Sequence, residues 1–342
     1  MKIVHVCAGL EATNGAAVIA AGFARAEAQA GHEVVFAATS SSSAASAAEV
    51  DLTGVRRVVW RRSRLPVLRA LCFSFGMLRH LPRLCRGADV VNVHCAWTFP
   101  VWWGAFAGRQ AKLVVTPEGS FDPVRLAFSA WKKRLVGPLE RLCLRRAALV
   151  HATVPVEADW VRAYEPRVRR VAVIPPGVDE PSASVAPVGR EGPLRLLYLG
   201  RIHPLKGLDL LEEAVKGLPV ELRIESAAFG EAKERAFAWC DALVLPTRSE
   251  NFGLVIAEAL VRARPVVTTT GAPWEDVPAH RCGWRTDVSA AALRQAIEEA
   301  ILLKPTGALA DMGERGRAWM RTDYTWAALS ARRLGNLGCG LV

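Results

Sequence analysis

The chain has 342 residues, of which 51% are hydrophobic, and it carries a formal net charge of +11. This length exceeds what one hydrophobic core usually serves, so two domains of about 150 residues each are expected. No stretch offers the ~20 uncharged apolar residues that cross a bilayer, and the richest segment, 95–108, is too short.

Cysteine usage and the N-terminal segment favour a reducing, cytoplasmic setting. The eight cysteines are scattered without a C-x-x-C pair, which is typical of reduced, buried thiols and not of disulfides or zinc. The N-terminal segment meets an acid at Glu11 and lacks the apolar core of a signal peptide. We therefore expect a cytoplasmic protein.

The predicted elements begin with a βαβ unit. Residues 2–7 form a short apolar run typical of a strand, 16–33 reads as a helix ended by Gly31, and 34–39 is the next strand. A strand, a helix and a strand within about forty residues indicate a parallel sheet. A short serine-rich loop, 40–48, follows. Further strands are predicted at 88–94, 112–119, 148–153 and 170–177.

Two segments combine basic and apolar residues. Nine arginines and no acid lie between Leu52 and Ala88, mixed with Leu, Phe, Val and Met, and a second basic stretch covers 130–148. This mixture suits an anionic membrane surface, although ordinary solvated helix faces produce the same pattern. No helix-turn-helix, zinc or RNA-binding signature accompanies the charge, so nucleic acid is not an expected partner.

A Pro-, Ser- and Gly-rich segment, 178–193, marks a linker, and a second strand and helix pattern follows it. Its predicted strands are 194–200, 220–226, 241–247 and 265–270. Its predicted helices are 208–218, 254–263 and 291–303. We expect a second parallel sheet and a cleft between the two domains.

A carboxylate inside an apolar helix is the first candidate for chemistry. Glu258 lies in the predicted helix 254–263, whose other faces are apolar, so its charge needs a partner. The partner is either a core arginine or a ligand. Asn251, Phe252 and Gly253 place backbone N–H groups at the start of this helix, where phosphates bind, and Glu250 precedes them. A ribose attached to such a phosphate would lie within reach of Glu258.

Two cations follow the first strand of the second domain. Arg201 and Lys206 lie five residues apart on a strand-to-helix loop, a pattern that suits a diphosphate. A pair of solvent-facing charges would look the same. Because both this pair and the Glu250–Glu258 pair lie at strand ends of one domain, we expect one shared ligand.

With these residues in place, the sequence resembles retaining glycosyltransferases of family 4, which have the GT-B fold: α/β, with two Rossmann-like domains whose parallel sheets face a central cleft. The E-x7-E motif is complete at Glu250 and Glu258, and the R-x4-K element at Arg201 and Lys206. The segments AWTFP, IPPGVD, APWEDVPAHRCGWRTD and MGERGRAWMRTDYTW resemble bacterial exopolysaccharide and lipopolysaccharide members.

The resemblance implies roles for these residues. Arg201 and Lys206 would hold the donor diphosphate and stabilise the leaving group, and Glu258 would bind the ribose. The donor sugar would contact Glu250 and the segment 251–254, which is Asn251, Phe252, Gly253 and Leu254. The N-terminal glycine loop would correspond to 11–18 and bring Gly15 near the phosphates or the acceptor, although family members often have Gly-Gly where this chain has Asn14-Gly15.

Two features of the chain, a pair of strand-end residues and a shortened region, depart from the family pattern or have a role that stays open. His94 and Glu118 end strands of the first domain and are candidates for the acceptor side, but family members often have a histidine or arginine where Glu118 falls. The region 225–238 is shorter than the usual insertion that helps to seat the nucleotide base. The base pocket is therefore either trimmed or replaced by residues 225–230.

The domains expected are 1–178 for the acceptor, 192–322 for the nucleotide sugar, and a C-terminal segment, 323–342, that packs back on the first domain. No D-x-D triplet occurs, so no metal or other cofactor is expected. The expected activity is metal-independent transfer of a hexosyl group from a nucleotide-diphosphate sugar to a lipid-linked or lipopolysaccharide glycan at the inner face of the cytoplasmic membrane. A degenerate GT-B protein that binds glycan or membrane, and a GT-B epimerase, are the alternatives.

Overall fold

The computed structural model describes residues 1–12, 14–41, 49–128, 130–181, 191–226 and 228–338. The chain divides into two compact units: unit 1 is Met1–Gly177 with Trp326–Val342, and unit 2 is Val178–Thr325. Most of the predicted serine-rich loop and the centre of the predicted linker lie outside the described residues.

Unit 1 contains a seven-stranded parallel sheet. Its strands are β1 (Lys2–Cys7), β2 (Glu33–Ser40), β3 (Arg56–Arg61), β4 (Val90–His94), β5 (Lys112–Thr116), β6 (Leu149–Ala152) and β7 (Val171–Val173). The spatial order is β3-β2-β1-β4-β5-β6-β7. The order reverses between β1 and β4, and such a switch point opens a ligand crevice at the carboxyl ends of the strands.

Helices cover both faces of this sheet. They are α1 (Gly15–Gln29), α2 (Pro66–Ala70), α3 (Phe75–Leu84), α4 (Phe99–Ala107), α5 (Pro123–Ala127), α6 (Ala130–Arg146), α7 (Pro155–Tyr164) and, at the C-terminal end, α13 (Trp326–Gly335). One face packs on α3, α4 and α6, and the opposite face packs on α1 and α13. Because side chains alternate along a strand, Val4 and Val6 of β1 face the first layer, whereas Ile3 and Cys7 face α1.

Unit 2 contains a five-stranded parallel sheet. Its strands are β8 (Leu194–Leu199), β9 (Val220–Glu225), β10 (Ala242–Leu245), β11 (Val266–Thr269) and β12 (Gly283–Thr286). The order is β12-β11-β10-β8-β9, so the switch point lies between β8 and β10. Its helices are α8 (Leu208–Ala214), α9 (Glu231–Trp239), α10 (Leu254–Val261), α11 (Ala290–Leu303) and α12 (Ala308–Asp323), with 3-10 turns at Pro204–Lys206 and Lys304–Thr306.

The predicted fold class, α/β with two parallel-sheet units, is confirmed. Two edge strands, β3 and β12, were absent from the sequence prediction, because arginines interrupt their apolar pattern and both are half exposed. The predicted helix 16–33 covers Gly15–Gln29 and stops just before Gly31, the residue predicted to end it, and the predicted strand 170–177 covers only Val171–Val173. Among the described residues, no helix is both long enough and apolar enough to cross a membrane.

Candidate functional site

The loops that follow β8 and β10 lie side by side in unit 2. These strands are neighbours in the sheet although β9 separates them in the chain. Backbone N–H of Arg248 donates to Leu205 O at 2.7 Å, and the Thr247 hydroxyl donates to the same oxygen at 2.9 Å. The two loops are therefore held together by direct hydrogen bonds at the switch point of the sheet.

The loop after β8 presents both predicted cations. Arg201 is exposed and forms no side-chain hydrogen bond or ion pair with the residues that the structure describes. Its backbone oxygen accepts a hydrogen bond from Tyr198 Oη at 2.9 Å. Burial, together with the Glu250 carboxylate, raises the pKa of Tyr198 to about 12, so this hydroxyl keeps its proton and anchors the loop.

A glycine is required where this loop enters α8. Gly207 has φ +66°, and a Cβ at this position would lie 2.0 Å from Pro246 O in the loop after β10. The left-handed backbone and the close approach both exclude a side chain. The neighbouring residue, Lys206, is thereby held against the loop after β10.

Lys206 and Glu250 are brought together, as the sequence motifs suggested for one shared ligand. Lys206 Nζ forms an ion pair with Glu250 Oε2, and both side chains are mostly buried. The other carboxylate oxygen of Glu250 accepts the backbone N–H of Asn251 at 3.2 Å. This geometry places a cation and an anion, both partly shielded from water, beside the start of α10.

The start of α10 is shaped by an aromatic cluster and a glycine. Gly253 has φ +82° and precedes the helix, and no side chain of the described residues caps it. Among the described residues, the N–H groups of Leu254 and Val255 are therefore available to an anionic ligand, whereas that of Ile256 donates to Gly253 O at 2.9 Å. Phe252 is buried against Trp274, whose indole N–H donates to Phe252 O at 2.5 Å, and Leu254 begins the helix.

Glu258 lies one helical turn after Leu254, the first residue of α10, and its side chain pairs with Lys233. Lys233 Nζ donates to Glu258 Oε1 at 2.7 Å, with side-chain exposures of 24% and 19%. The nearby core arginine, Arg262, pairs with Glu234 instead. The carboxylate is thus partly open to solvent and lies beside α9 (Glu231–Trp239), which overlaps the shortened region.

In unit 1, His94 and Glu118 meet at the switch point of the larger sheet. His94 Nδ1 lies 3.0 Å from Glu118 Oε1, and Cys95 Sγ donates to Glu118 Oε2 at 3.4 Å. Glu118 follows β5 with φ +53°, and the buried carboxylate of Glu157 binds the next backbone N–H. Burial raises the pKa of Glu118 well above its usual range.

The pair continues into a buried chain of polar groups that the sequence analysis missed. His5 Nδ1 lies 3.0 Å from His94 Nε2, and His5 Nε2 lies 2.7 Å from Glu27 Oε2. Glu27 Oε1 in turn binds the guanidinium of Arg333 on α13. His5 and Glu27 are polar residues inside apolar runs, which is the sequence signal for such a chain.

Gly15, the remaining predicted donor-side residue, is the first residue of α1 and is exposed. Asn14 caps this helix by accepting the N–H of Ala16 at 3.1 Å. Gly15 therefore belongs to unit 1, whereas Arg201, Lys206, Glu250, Glu258 and the segment 251–254 all belong to unit 2.

The basic segments of unit 1 expose apolar side chains in two patches. The α2–α3 patch consists of Leu65, Val67, Phe75 and Leu78, and the α5–α6 patch consists of Val124, Phe128, Trp131, Leu135 and Leu142. Eight of the nine arginines between 56 and 86 are exposed, and the exception, Arg62, binds Ala8 O and Thr39 Oγ1. Leu71 and Phe73, which lie in the same basic segment, are half buried.

Family models match both units. The model of Glycosyltransferase Family 4 matches residues 13–180, and the model of Glycosyl transferases group 1 matches residues 220–302. A curated relative, D-inositol 3-phosphate glycosyltransferase of Xylanimonas cellulosilytica, is 28% identical over 58% of this chain. The aligned part spans 60% of that relative's length.

Solved structures match the whole chain at low identity. HepE of Anabaena in complex with UDP-glucose has a TM-score of 0.75 and 16% identity, covering 99% of each chain. WaaG, a glycosyltransferase involved in lipopolysaccharide biosynthesis, has a TM-score of 0.65 and 13% identity, covering 99% of this chain and 100% of WaaG. Together with the family models, the two parallel-sheet units show that the chain belongs to glycosyltransferase family 4 and has the GT-B fold.

Proposed function

We propose that this glycosyltransferase moves a hexose, with retention and without a metal, from a nucleotide-diphosphate sugar to a lipid-linked or lipopolysaccharide-type glycan. The observation that supports this donor is that Lys206 and Glu250 pair beside the uncapped start of α10 at the switch point of unit 2, with Arg201 exposed on the same loop as Lys206. Two cations and helix N–H groups suit a diphosphate, and they stabilise the negative charge that grows on it as the anomeric bond breaks.

We propose that the diphosphate, the sugar and the ribose of the donor each contact different residues of this site. Arg201 and Lys206 bind the diphosphate, Glu250 contacts the sugar, and Glu258 accepts hydrogen bonds from the ribose. Lys233 holds the Glu258 carboxylate in place at 2.7 Å, so it is a positioning residue for the ribose contact. Both HepE, whose complexes contain UDP and UDP-glucose, and the completeness of both motifs support this assignment.

The surface of unit 1 supports the proposal of a lipid-linked acceptor. Helix α4 packs between α3 and α6, so the α2–α3 and α5–α6 patches belong to one layer of the unit. Exposed Phe, Trp, Leu and Val side chains beside exposed arginines suit an anionic lipid interface. A surface of this kind would hold the enzyme near a lipid-linked glycan.

A second acceptor class follows from the curated relatives. Several are D-inositol 3-phosphate glycosyltransferases, whose acceptor is a phosphorylated polyol. The experiment that separates the two is a nucleotide-release assay with a panel of nucleotide sugars, run with lipid-linked glycans and with polyol phosphates. Release that requires the lipid-linked acceptor supports the proposal, whereas release with the polyol phosphate alone replaces it. NMR of the product's anomeric proton then tests retention.

A further inference from the structure

The buried chain in unit 1 joins the C-terminal helix to the carboxyl edge of the sheet. Its members, in spatial order, are Arg333, Glu27, His5, His94 and Glu118. The first four are between 0% and 2% exposed, and Glu118 is 7% exposed with a side chain 3% exposed, so all five are buried and the Glu118 end comes closest to solvent. His5 and His94 project from β1 and β4, the two strands that flank the switch point.

The hydrogen bonds of this chain can run in only two directions. Burial lowers the pKa of both His5 and His94, so each ring is neutral and has one donor and one acceptor nitrogen. In the first direction Glu118 O–H donates to His94 Nδ1, and each ring then donates from Nε2 towards a Glu27 carboxylate. In the second, Glu27 is protonated, each ring donates from Nδ1, and Glu118 is the carboxylate.

The charges around the two ends decide between these directions. The guanidinium of Arg333 and the ring of His5 contact Glu27 and, against the effect of burial, hold its pKa at about 2. At the other end the Glu118 carboxyl meets the thiol of Cys95, with the Cys7 thiol and the Glu157 carboxylate nearby. Because no cation contacts Glu118 among the described residues, the negative charge belongs on Glu27.

We propose that Arg333 sets the direction of this chain, so that Glu118 is a neutral carboxylic acid that orients a hydroxyl group of the acceptor through its carbonyl oxygen. The proposal rests on the proposed function for the identity of the acceptor as a hydroxyl compound. The two ring nitrogens of His94 are occupied within the chain, so His94, His5, Glu27 and Arg333 are positioning residues. Glu118 is the group that contacts the ligand.

The direct test is the tautomer of each histidine, read from the ¹⁵N shifts of uniformly labelled protein at neutral pH. We expect both His5 and His94 in the Nε2–H form. Either ring in the Nδ1–H form, or protonated on both nitrogens, would overturn the proposal. This measurement needs neither a variant nor activity, so it stands even if the acceptor class is wrong.

A substitution tests the role assigned to Arg333. Without its guanidinium the proton should move to Glu27, so R333M should convert both rings to the Nδ1–H form and ionise Glu118. R332M, on the exposed face of the same helix, should leave the tautomers unchanged, and R333K should keep the wild-type direction. Nε2–H rings in folded R333M would show that Arg333 does not set the direction.

Acceptor kinetics test the role of the neutral acid. E118A should raise the acceptor KM about tenfold through loss of one hydrogen bond. E118Q should recover most of that loss, because an amide keeps a neutral carbonyl and an N–H donor for His94 Nδ1. If E118Q is as impaired as E118A, the ionised form is required and the proposal fails. Absence of transfer to any acceptor would instead contradict the proposed function.

Discussion

Among the described residues, Lys206 has one negative partner, and the proposed function assigns it a second during the reaction. It pairs with Glu250 across the loops after β8 and β10, and the proposed donor places a diphosphate beside it. The ion pair keeps the ammonium in position before the donor binds. A cation already held in place stabilises the leaving group without further reorganisation.

We expect K206A to lower kcat by about 10²–10³, equivalent to about 2–4 kcal/mol of barrier, with the fold intact. Steady-state kinetics and a thermal melt measure the two effects. The control is K216A, which removes an exposed lysine after α8. Near-normal turnover in K206A would rule out the diphosphate assignment.

The two glutamates of the E-x7-E motif should respond differently to amide substitution. Glu258 is assigned to a ribose that does not react, so E258Q should weaken donor binding more than it lowers kcat. Glu250 is assigned to the transferred sugar, so E250Q should mainly lower kcat. Equal effects on both parameters in both variants would mean that the donor lies in the opposite orientation.

At the scale of elements, the 3-10 turn Pro204–Lys206 depends on the glycine that follows it. G207A introduces a Cβ into a left-handed backbone and against Pro246 O. We expect it to lower the free energy of unfolding by about 2–3 kcal/mol and to reduce activity, because Lys206 is adjacent.

A second glycine separates the effect of the left-handed backbone from that of the contact with Pro246 O. Gly217 has a similar φ, +74°, but a Cβ added there would meet no heavy atom within 4 Å beyond its chain neighbours. G217A should therefore show only the backbone strain, about 1 kcal/mol, with normal activity. Denaturant titration of both variants measures the difference, and equal destabilisation would show that the contact with Pro246 is unimportant.

Sequence patterns predicted the buried strands well and missed two of the four edge strands. The apolar runs of β1, β2, β8 and β10 identify them because both faces of a parallel sheet are covered. Strands β3 and β12 are half exposed, and their arginines hide the pattern. The short helices α2 and α5 have no buried residue, so no apolar periodicity marks them.

The candidate site could be predicted only in part, because local sequence shows the spacing of residues but not their partners from distant segments. Arg201, Lys206, Glu250 and Glu258 fall at fixed spacings within one domain, which local sequence reveals. Partners that come from distant segments are not visible in this way. Lys233 is supplied by α9, and Arg333 lies 306 residues from Glu27, so both pairings depend on the tertiary fold.

At the scale of the whole molecule, the excess of positive charge is concentrated on unit 1 beside exposed apolar side chains. At ~1 kcal/mol per basic residue near an anionic leaflet, three or four arginine contacts suffice for reversible binding. In the proposed docking, the exposed side chains of the α2–α3 patch would add apolar area that enters the headgroup region.

Co-sedimentation with liposomes should therefore show binding to anionic vesicles that weakens at high salt and is absent with neutral lipid. A variant with Arg64, Arg69, Arg79 and Arg83 changed to Gln should lose most of this binding. A control with Arg294 and Arg315 of unit 2 changed to Gln should bind normally. Equal recovery on both lipids, or no effect of salt, would exclude electrostatic docking.

We expect the switch point of unit 2 to bind a nucleotide-diphosphate sugar. The most direct measurement is a thermal-shift panel of nucleotide sugars on the wild type and on an R201A/K206A variant. A ligand at a hundred times its Kd adds roughly 2.7 kcal/mol of stability, so at least one compound should raise the Tm of the wild type by several degrees and leave the variant unshifted. A panel without any shift, or an equal shift in the variant, would show that Arg201 and Lys206 do not bind a nucleotide-diphosphate sugar.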